Sequence, residues 1–110
     1  QARLRRDLEH ARWLAAQVDA APGWERLAPV PFQTVVVRHV PPGVADESRL
    51  AEHNLAIAAK VNAGGRAYVT PSVLKGRQTL RLSVGSARTE RPDVERLWAE
   101  LCTAVEQAAG

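Results

Sequence analysis

Sulfur-containing residues are scarce in this sequence, and long apolar runs are absent. Because Cys102 is the only cysteine, no disulfide can form within the chain, and the reducing cytoplasm is the expected compartment. No apolar run approaches the ~20 residues that span a bilayer, so no membrane partner is expected. The chain has no methionine and its helical pattern is already running at Gln1, so we expect it to start inside a longer protein.

Lysine is also scarce, since 13 of the 15 basic residues are arginine and only Lys60 and Lys75 are lysine. The net charge of +3 is scattered along the chain rather than gathered into a basic block, which argues against a nucleic-acid partner. Apolar residues make up 45% and charged residues 25%, an ordinary globular composition. The length suits one domain over residues 1–110.

Three stretches carry apolar residues at helical spacing with polar residues on the opposite face. The first ends near Ala20, the second lies between Asp46 as N-cap and a stop at Gly64 and Gly65, and the third follows Thr89 as N-cap. The three apolar stripes are Leu4, Leu8, Ala11, Leu14, Ala15 and Val18; Leu50, Asn54, Ile57, Ala58 and Val61; and Val94, Leu97, Trp98, Leu101, Val105 and Ala108.

Asn54 is the polar member of the second stripe. A buried amide is costly unless its hydrogen bonds are met. We therefore expect its side chain to bond to backbone across a helix–sheet contact.

Four segments have strand character. Residues 33–40 are rich in β-branched residues and predict a central strand buried on both faces, while 24–27 is a short extended segment. Residues 67–74 and 78–84 predict an antiparallel hairpin, with Pro71 placing its first strand at a sheet edge or bulge. The order α-β-β-α-β-β-α predicts an α+β fold, with an antiparallel sheet of three to four strands covered on one face by three amphipathic helices.

The sequence contains few residues in patterns typical of metal-binding or catalytic sites. His10, His39 and His53 fall in different elements without metal-ligand spacing, so no metal site is predicted. Cys102 adjoins the third stripe and is expected to be a small buried hydrophobe rather than a nucleophile. The sequence has no nucleophile elbow, phosphate loop or dinucleotide fingerprint.

Arg81 is the candidate ligand-binding residue. Alternation along its strand directs Leu80 and Leu82 toward the helices, and Thr79, Arg81 and Ser83 toward the uncovered face. A guanidinium there can donate a bidentate pair of hydrogen bonds to a carboxylate. On sequence pattern alone, a solvated or salt-bridged surface arginine is the favoured alternative.

The segments LAPVPFQTVVVRHVPPG, VNAGGRAYVTPSVLKGR and LRLSVGSARTERPDVERLW resemble the closing part of group II pyridoxal-phosphate-dependent decarboxylases, above all the aromatic-L-amino-acid branch. The shared features are a strand ending in arginine, an Asn-x-x-Gly turn, a tyrosine-containing strand, and Leu-Arg before a threonine-capped helix that reaches tryptophan. Many relatives have an aromatic residue before the strand's arginine, where this chain has Val37 before Arg38. That difference leaves the sub-branch open.

The resemblance implies the C-terminal small domain of a type I aminotransferase-like fold, in an amino-acid decarboxylase that is usually a homodimer. The partner it implies is a large domain that binds pyridoxal phosphate and lies outside residues 1–110. The family's Schiff-base lysine follows a histidine-containing motif that neither Lys60 nor Lys75 matches, so the isolated chain is expected to bind no cofactor and to be inactive. Arg81 matches a Leu-Arg position that contacts the substrate carboxylate in the glutamate-type branch.

Two other functions are compatible with a free-standing α+β module. An RNA-binding domain is suggested by the isoelectric point near 9.8, but such sheets stack bases on aromatic residues and the predicted hairpin offers only Tyr68. A regulatory or oligomerisation domain that binds a small ligand is the other. If the chain is instead a domain separated from its parent enzyme, Val36, Val40 and Tyr68 predict a partly apolar sheet face that contacts the missing protein and favours self-association of the lone domain.

Overall fold

A computed structural model describes residues 2–27, 34–83 and 90–109, which form three helices and a four-stranded antiparallel sheet. The predicted element order and α+β class are confirmed. The predicted cap Thr89 and the strand ends at residues 33 and 84 lie outside the described residues. The elements are α1 (Ala2–Ala20), β1 (Trp24–Arg26), β2 (Thr34–His39), α2 (Glu47–Gly64), β3 (Thr70–Leu74), β4 (Arg77–Ser83) and α3 (Arg91–Ala109).

The strands lie in the order β1-β2-β4-β3, and each neighbouring pair is antiparallel. β2 is therefore an interior strand, as its run of β-branched residues predicts. β3 is an edge strand, which accounts for Pro71, since an edge tolerates a residue that cannot donate a backbone hydrogen bond.

One face of the sheet carries the core. Val35 lies opposite Leu82, and Val37 lies opposite Leu80, and all four side chains are fully buried. α1 and α2 pack against this face, and α3 packs against both of those helices. Each such side chain contributes about 1.5–3 kcal/mol through removal from water, so this layer is the main source of stability.

The ends of α2 are set by local chemistry that the sequence predicts. The Asp46 side chain accepts a hydrogen bond from the Ser48 backbone N–H at 2.9 Å, and Gly65 closes the helix in the left-handed region with φ of 73°. All five residues of the predicted stripe are buried. Local signals therefore fix both the position and the rotation of this helix.

β3 begins at Thr70 rather than at the predicted residue 67. The side chain of Asn62 accounts for the difference: its Nδ2 donates to the Val69 carbonyl at 3.0 Å, and its Oδ1 accepts from the Val69 N–H at 2.8 Å. Val69 is thereby bonded to the last turns of α2 instead of to a neighbouring strand. The hairpin that follows turns through Lys75 and Gly76, whose φ angles of 52° and 79° are typical of a two-residue type I′ turn.

Candidate functional site

Arg81 lies near the middle of β4 on the sheet face that carries no helix. Its neighbours Leu80 and Leu82 are buried beneath the helices, whereas Arg81 itself is exposed. The residues directly opposite are Val36 on β2 and Thr70 on β3. Among the described residues no hydrogen bond or ion pair to its guanidinium is found. Arg81 and Ser83 are exposed as predicted, whereas Thr79, predicted for the same open face, is fully buried and its hydroxyl donates to the Ser72 carbonyl at 3.0 Å.

The surroundings of Arg81 on this face are small and polar. Ser83 on the same strand and Thr70 on the edge strand are exposed, and Val36 is half-buried. Tyr68 is 69% exposed, but it precedes β3 rather than lying within it. No described residue of this face is aromatic, so the stacking platform that a sheet-type RNA-binding module needs is not found in the part of the chain described.

A second arginine on the same face, Arg38, forms ion pairs within the domain. The Arg38 side chain is only 8% exposed, and it donates from Nε to Glu25 of β1 and from a terminal nitrogen to Glu47 of α2, both at 2.9 Å. Burial by itself lowers the pKa of Arg38, but the hydrogen bonds and charges of the two carboxylates raise it above its usual value. Arg38 therefore ties β1, β2 and α2 together, which the sequence pattern did not indicate, and two of its three guanidinium nitrogens are already bonded to carboxylates.

Asn54 makes the contact expected of it. It is fully buried, and its Oδ1 accepts from the His39 N–H at 2.8 Å while its Nδ2 donates to the His39 carbonyl at 3.0 Å and to the Leu50 carbonyl at 2.8 Å. The amide thus serves both backbone groups of the last residue of β2. Its role is structural, since these bonds leave it little capacity for a ligand.

Two of the three histidines, His39 and His53, lie within hydrogen-bonding distance of each other, although they belong to different elements. Nδ1 of His39 on β2 is 2.9 Å from Nε2 of His53 on α2, and the His39 ring also packs edge-on against Trp24 at 5.1 Å between ring centroids. Burial lowers the pKa of both rings, and the charge of His53 lowers that of His39 further. Sequence spacing missed this pair because only the fold brings the two residues together.

The remaining candidates show no reactive setting. Cys102 is half-buried rather than buried, and burial together with the charge of Glu106 raises the pKa of its thiol, which favours the unreactive form. Within the residues described, no three histidine, cysteine, aspartate or glutamate side chains are grouped as metal ligands would be. Over the same ranges, none of the helices is both long and apolar enough to cross a bilayer.

Comparison with known proteins points to one family. No family model matches the chain. A tryptophan decarboxylase from Camptotheca acuminata is 31% identical over 98 residues, which cover 89% of this chain and 20% of that enzyme. The chain therefore spans about one fifth of the length of the curated relatives it matches.

Solved structures agree with the sequence match. Catharanthus roseus tryptophan decarboxylase in complex with L-tryptophan has a TM-score of 0.89 and 28% identity, covering 98% of this chain and 22% of that one. The Oryza sativa enzyme TDC with PLP has a TM-score of 0.94 and 26% identity, covering all of this chain and 24% of that one. The whole of the described fold is thus found as a segment of these decarboxylases.

The two lysines of the chain, Lys60 and Lys75, both lie at the surface. Lys60 is exposed on α2, and Lys75 is exposed in the hairpin turn, whereas a Schiff-base lysine needs an enclosed setting that favours its neutral form. Neither lysine is enclosed.

Proposed function

We propose that this chain is the small domain of an enzyme that decarboxylates an aromatic L-amino acid. The reason is that the chain corresponds to the C-terminal domain of group II pyridoxal-phosphate-dependent decarboxylases. The observation that carries the proposal is the match over 89% of the chain to a tryptophan decarboxylase. The close agreement of the fold with decarboxylase structures supports it independently.

The cofactor belongs, in this proposal, to a large domain elsewhere in the full-length protein. That domain supplies the Schiff-base lysine, since Lys60 and Lys75 are exposed and unsuited to the role. The small domain packs against it and helps to close the substrate site. The full-length enzyme is a cytoplasmic homodimer, and the isolated chain has no activity of its own.

Arg81 is the residue we assign to the substrate. The Arg81 side chain is exposed, whereas Arg38 on the same face is held by two carboxylates. A bidentate pair of hydrogen bonds from Arg81 would bind and orient the carboxylate of the amino acid. The residues opposite Arg81, Thr70 and Val36, carry no charge that would compete with a ligand for its guanidinium.

The test is the kinetics of Arg81→Lys in the full-length protein, assayed with L-tryptophan, L-tyrosine, L-phenylalanine and L-glutamate. Lysine keeps the charge but loses the planar pair of donors, so kcat/KM should fall about tenfold or more for the preferred substrate. The absorbance of bound pyridoxal phosphate should not change. Arg77→Lys is the matched control, because Arg77 is also exposed, on the same strand and the same face, and should keep wild-type kinetics.

Two results would overturn parts of the proposal separately. Decarboxylation of glutamate but of no aromatic amino acid would reject the aromatic branch while keeping the family. Wild-type kinetics for Arg81→Lys would return Arg81 to an ordinary surface arginine. Salt-dependent binding of RNA by a full-length protein without decarboxylase activity would instead favour the RNA-binding module.

A further inference from the structure

The end of β2 is joined to α2 by three side-chain contacts made by consecutive residues. Arg38 bonds to Glu47 in the first turn of the helix, the backbone of His39 bonds to Asn54, and the ring of His39 bonds to His53. We propose that the third contact, between the two imidazoles, is a proton-sensitive latch that holds α2 against β2 at neutral pH and weakens as the pH falls. The proposal does not depend on the proposed enzyme activity.

The geometry of the pair permits only some protonation states. At 2.9 Å between Nδ1 of His39 and Nε2 of His53, one nitrogen must carry the proton and the other must accept it. One added proton can be shared between the rings. When both rings are charged, two N–H groups face each other and the hydrogen bond is lost, so the doubly charged pair is incompatible with the closed latch.

The surroundings offer the added charge little compensation. β1 contributes the apolar edge of Trp24, and α3 contributes Trp98, which packs on Trp24. The carboxylate of Glu25 on β1 bonds to Arg38, and these two side chains lie on the opposite face of the sheet from the His39 ring.

Other titratable side chains lie near in sequence on the packed helices. On α2 the exposed Arg49 precedes His53 by one turn, and on α3 the half-buried Cys102 follows Trp98 by one turn. The charge found to act on His39 is that of His53, and burial is the cause found for His53 itself. Both rings therefore resist protonation, in agreement with the geometry.

The direction of the pH effect follows from linkage. A released histidine has an ordinary pKa of 6.5, whereas the pKa of both rings is lower in the closed pair. Below pH 6.5 the two histidines bind more protons when the pair is open than when it is closed. Opening of the pair therefore becomes more favourable as the pH falls. Each proton that the closed pair excludes should raise the opening equilibrium constant by up to about tenfold between about pH 7.5 and about pH 5.5.

The experiment is hydrogen exchange of the full-length protein, read by mass spectrometry over this pH range and corrected for the intrinsic rate of each amide. Peptides from the centre of α2, residues 50–61, report the latch. Peptides from the β3–β4 hairpin carry no histidine and serve as the internal reference. The variants are the double substitution His39→Gln and His53→Gln, the single substitution His53→Gln, and His10→Gln, which removes the histidine outside the pair.

The wild-type protein should show more opening of α2 at the lower pH, relative to the hairpin, by up to about tenfold for each proton that the closed pair excludes. His10→Gln should retain this dependence, and the double variant should lose it. If the double variant fails to fold, His53→Gln at the half-buried position should still reduce the dependence. A wild-type α2 whose opening does not vary with pH, or a folded double variant that keeps the wild-type dependence, would overturn the proposal.

Discussion

Removing the buried amide of Asn54 should destabilise this domain more than any other single polar truncation on α2. Asn54 is 0% exposed and makes three hydrogen bonds, two of them to the backbone of His39. In Asn54→Ala the His39 N–H and carbonyl lose their side-chain partner at a site closed to solvent. The Leu50 carbonyl is less affected, because it still has the helical hydrogen bond available to it.

The magnitude follows from the two groups left without this partner. A buried donor or acceptor without a partner costs about 1–3 kcal/mol, so two of them cost about 2–6 kcal/mol, and about 3 kcal/mol is the expected loss. For a domain of this size that corresponds to a fall in melting temperature of ~12 °C. Small domains are stable by about 5–15 kcal/mol, so the variant should still fold.

The assay is urea and thermal unfolding followed by circular dichroism. Asn62→Ala is the matched control, because Asn62 lies on the same helix and bonds to both backbone groups of Val69, but is only half-buried. Val69 is itself buried, but the half-buried Asn62 position lies beside solvent, so Asn62→Ala should cost about 1 kcal/mol. The reasoning fails if the two variants lose equal stability, or if Asn54→Ala unfolds within ~1 kcal/mol of the wild type.

Two further comparisons test the backbone and the ion pairs. Gly23→Ala should lower the free energy of unfolding by about 3 kcal/mol, because φ is +83° and the new Cβ would lie 2.9 Å from Nε2 of His39. Gly76→Ala has a similar φ of +79° but no atom within 4 Å of the new Cβ, so it should lower the free energy of unfolding by only about 1 kcal/mol. Equal losses would show that the close contact is relieved at no cost. Arg38→Met should cost about 2 kcal/mol and Arg26→Met, which breaks a more exposed pair with a carboxylate of α1, less than ~1 kcal/mol. A larger loss for Arg26→Met would contradict the importance assigned to burial of Arg38.

Features set by local sequence were predictable. Asp46 and Gly65 mark the ends of α2 because capping depends on residues one to four positions away. The alternation of Leu80, Arg81 and Leu82 gave the orientation of β4 because a strand turns each successive side chain to the other face. Both kinds of signal need no knowledge of the rest of the fold.

Features that depend on distant residues were not predictable in the same way. The late start of β3 results from the side chain of Asn62, and the pairing of His39 with His53 results from the packing of α2 on β2. Neither contact leaves a periodic trace in the sequence. For Arg81 the alternation indicates the face of the sheet, whereas its role depends on a binding partner that no pattern in the sequence identifies.

The strand order β1-β2-β4-β3 has a consequence for how the domain holds together. The first half of the chain supplies β1 and β2, the second half supplies β3 and β4, and the inner strand of each half pairs with the inner strand of the other. A two-stranded hairpin is at best marginally stable alone. Neither half can complete its own core layer, so the domain forms a single cooperative unit in which both hairpins are present or neither is.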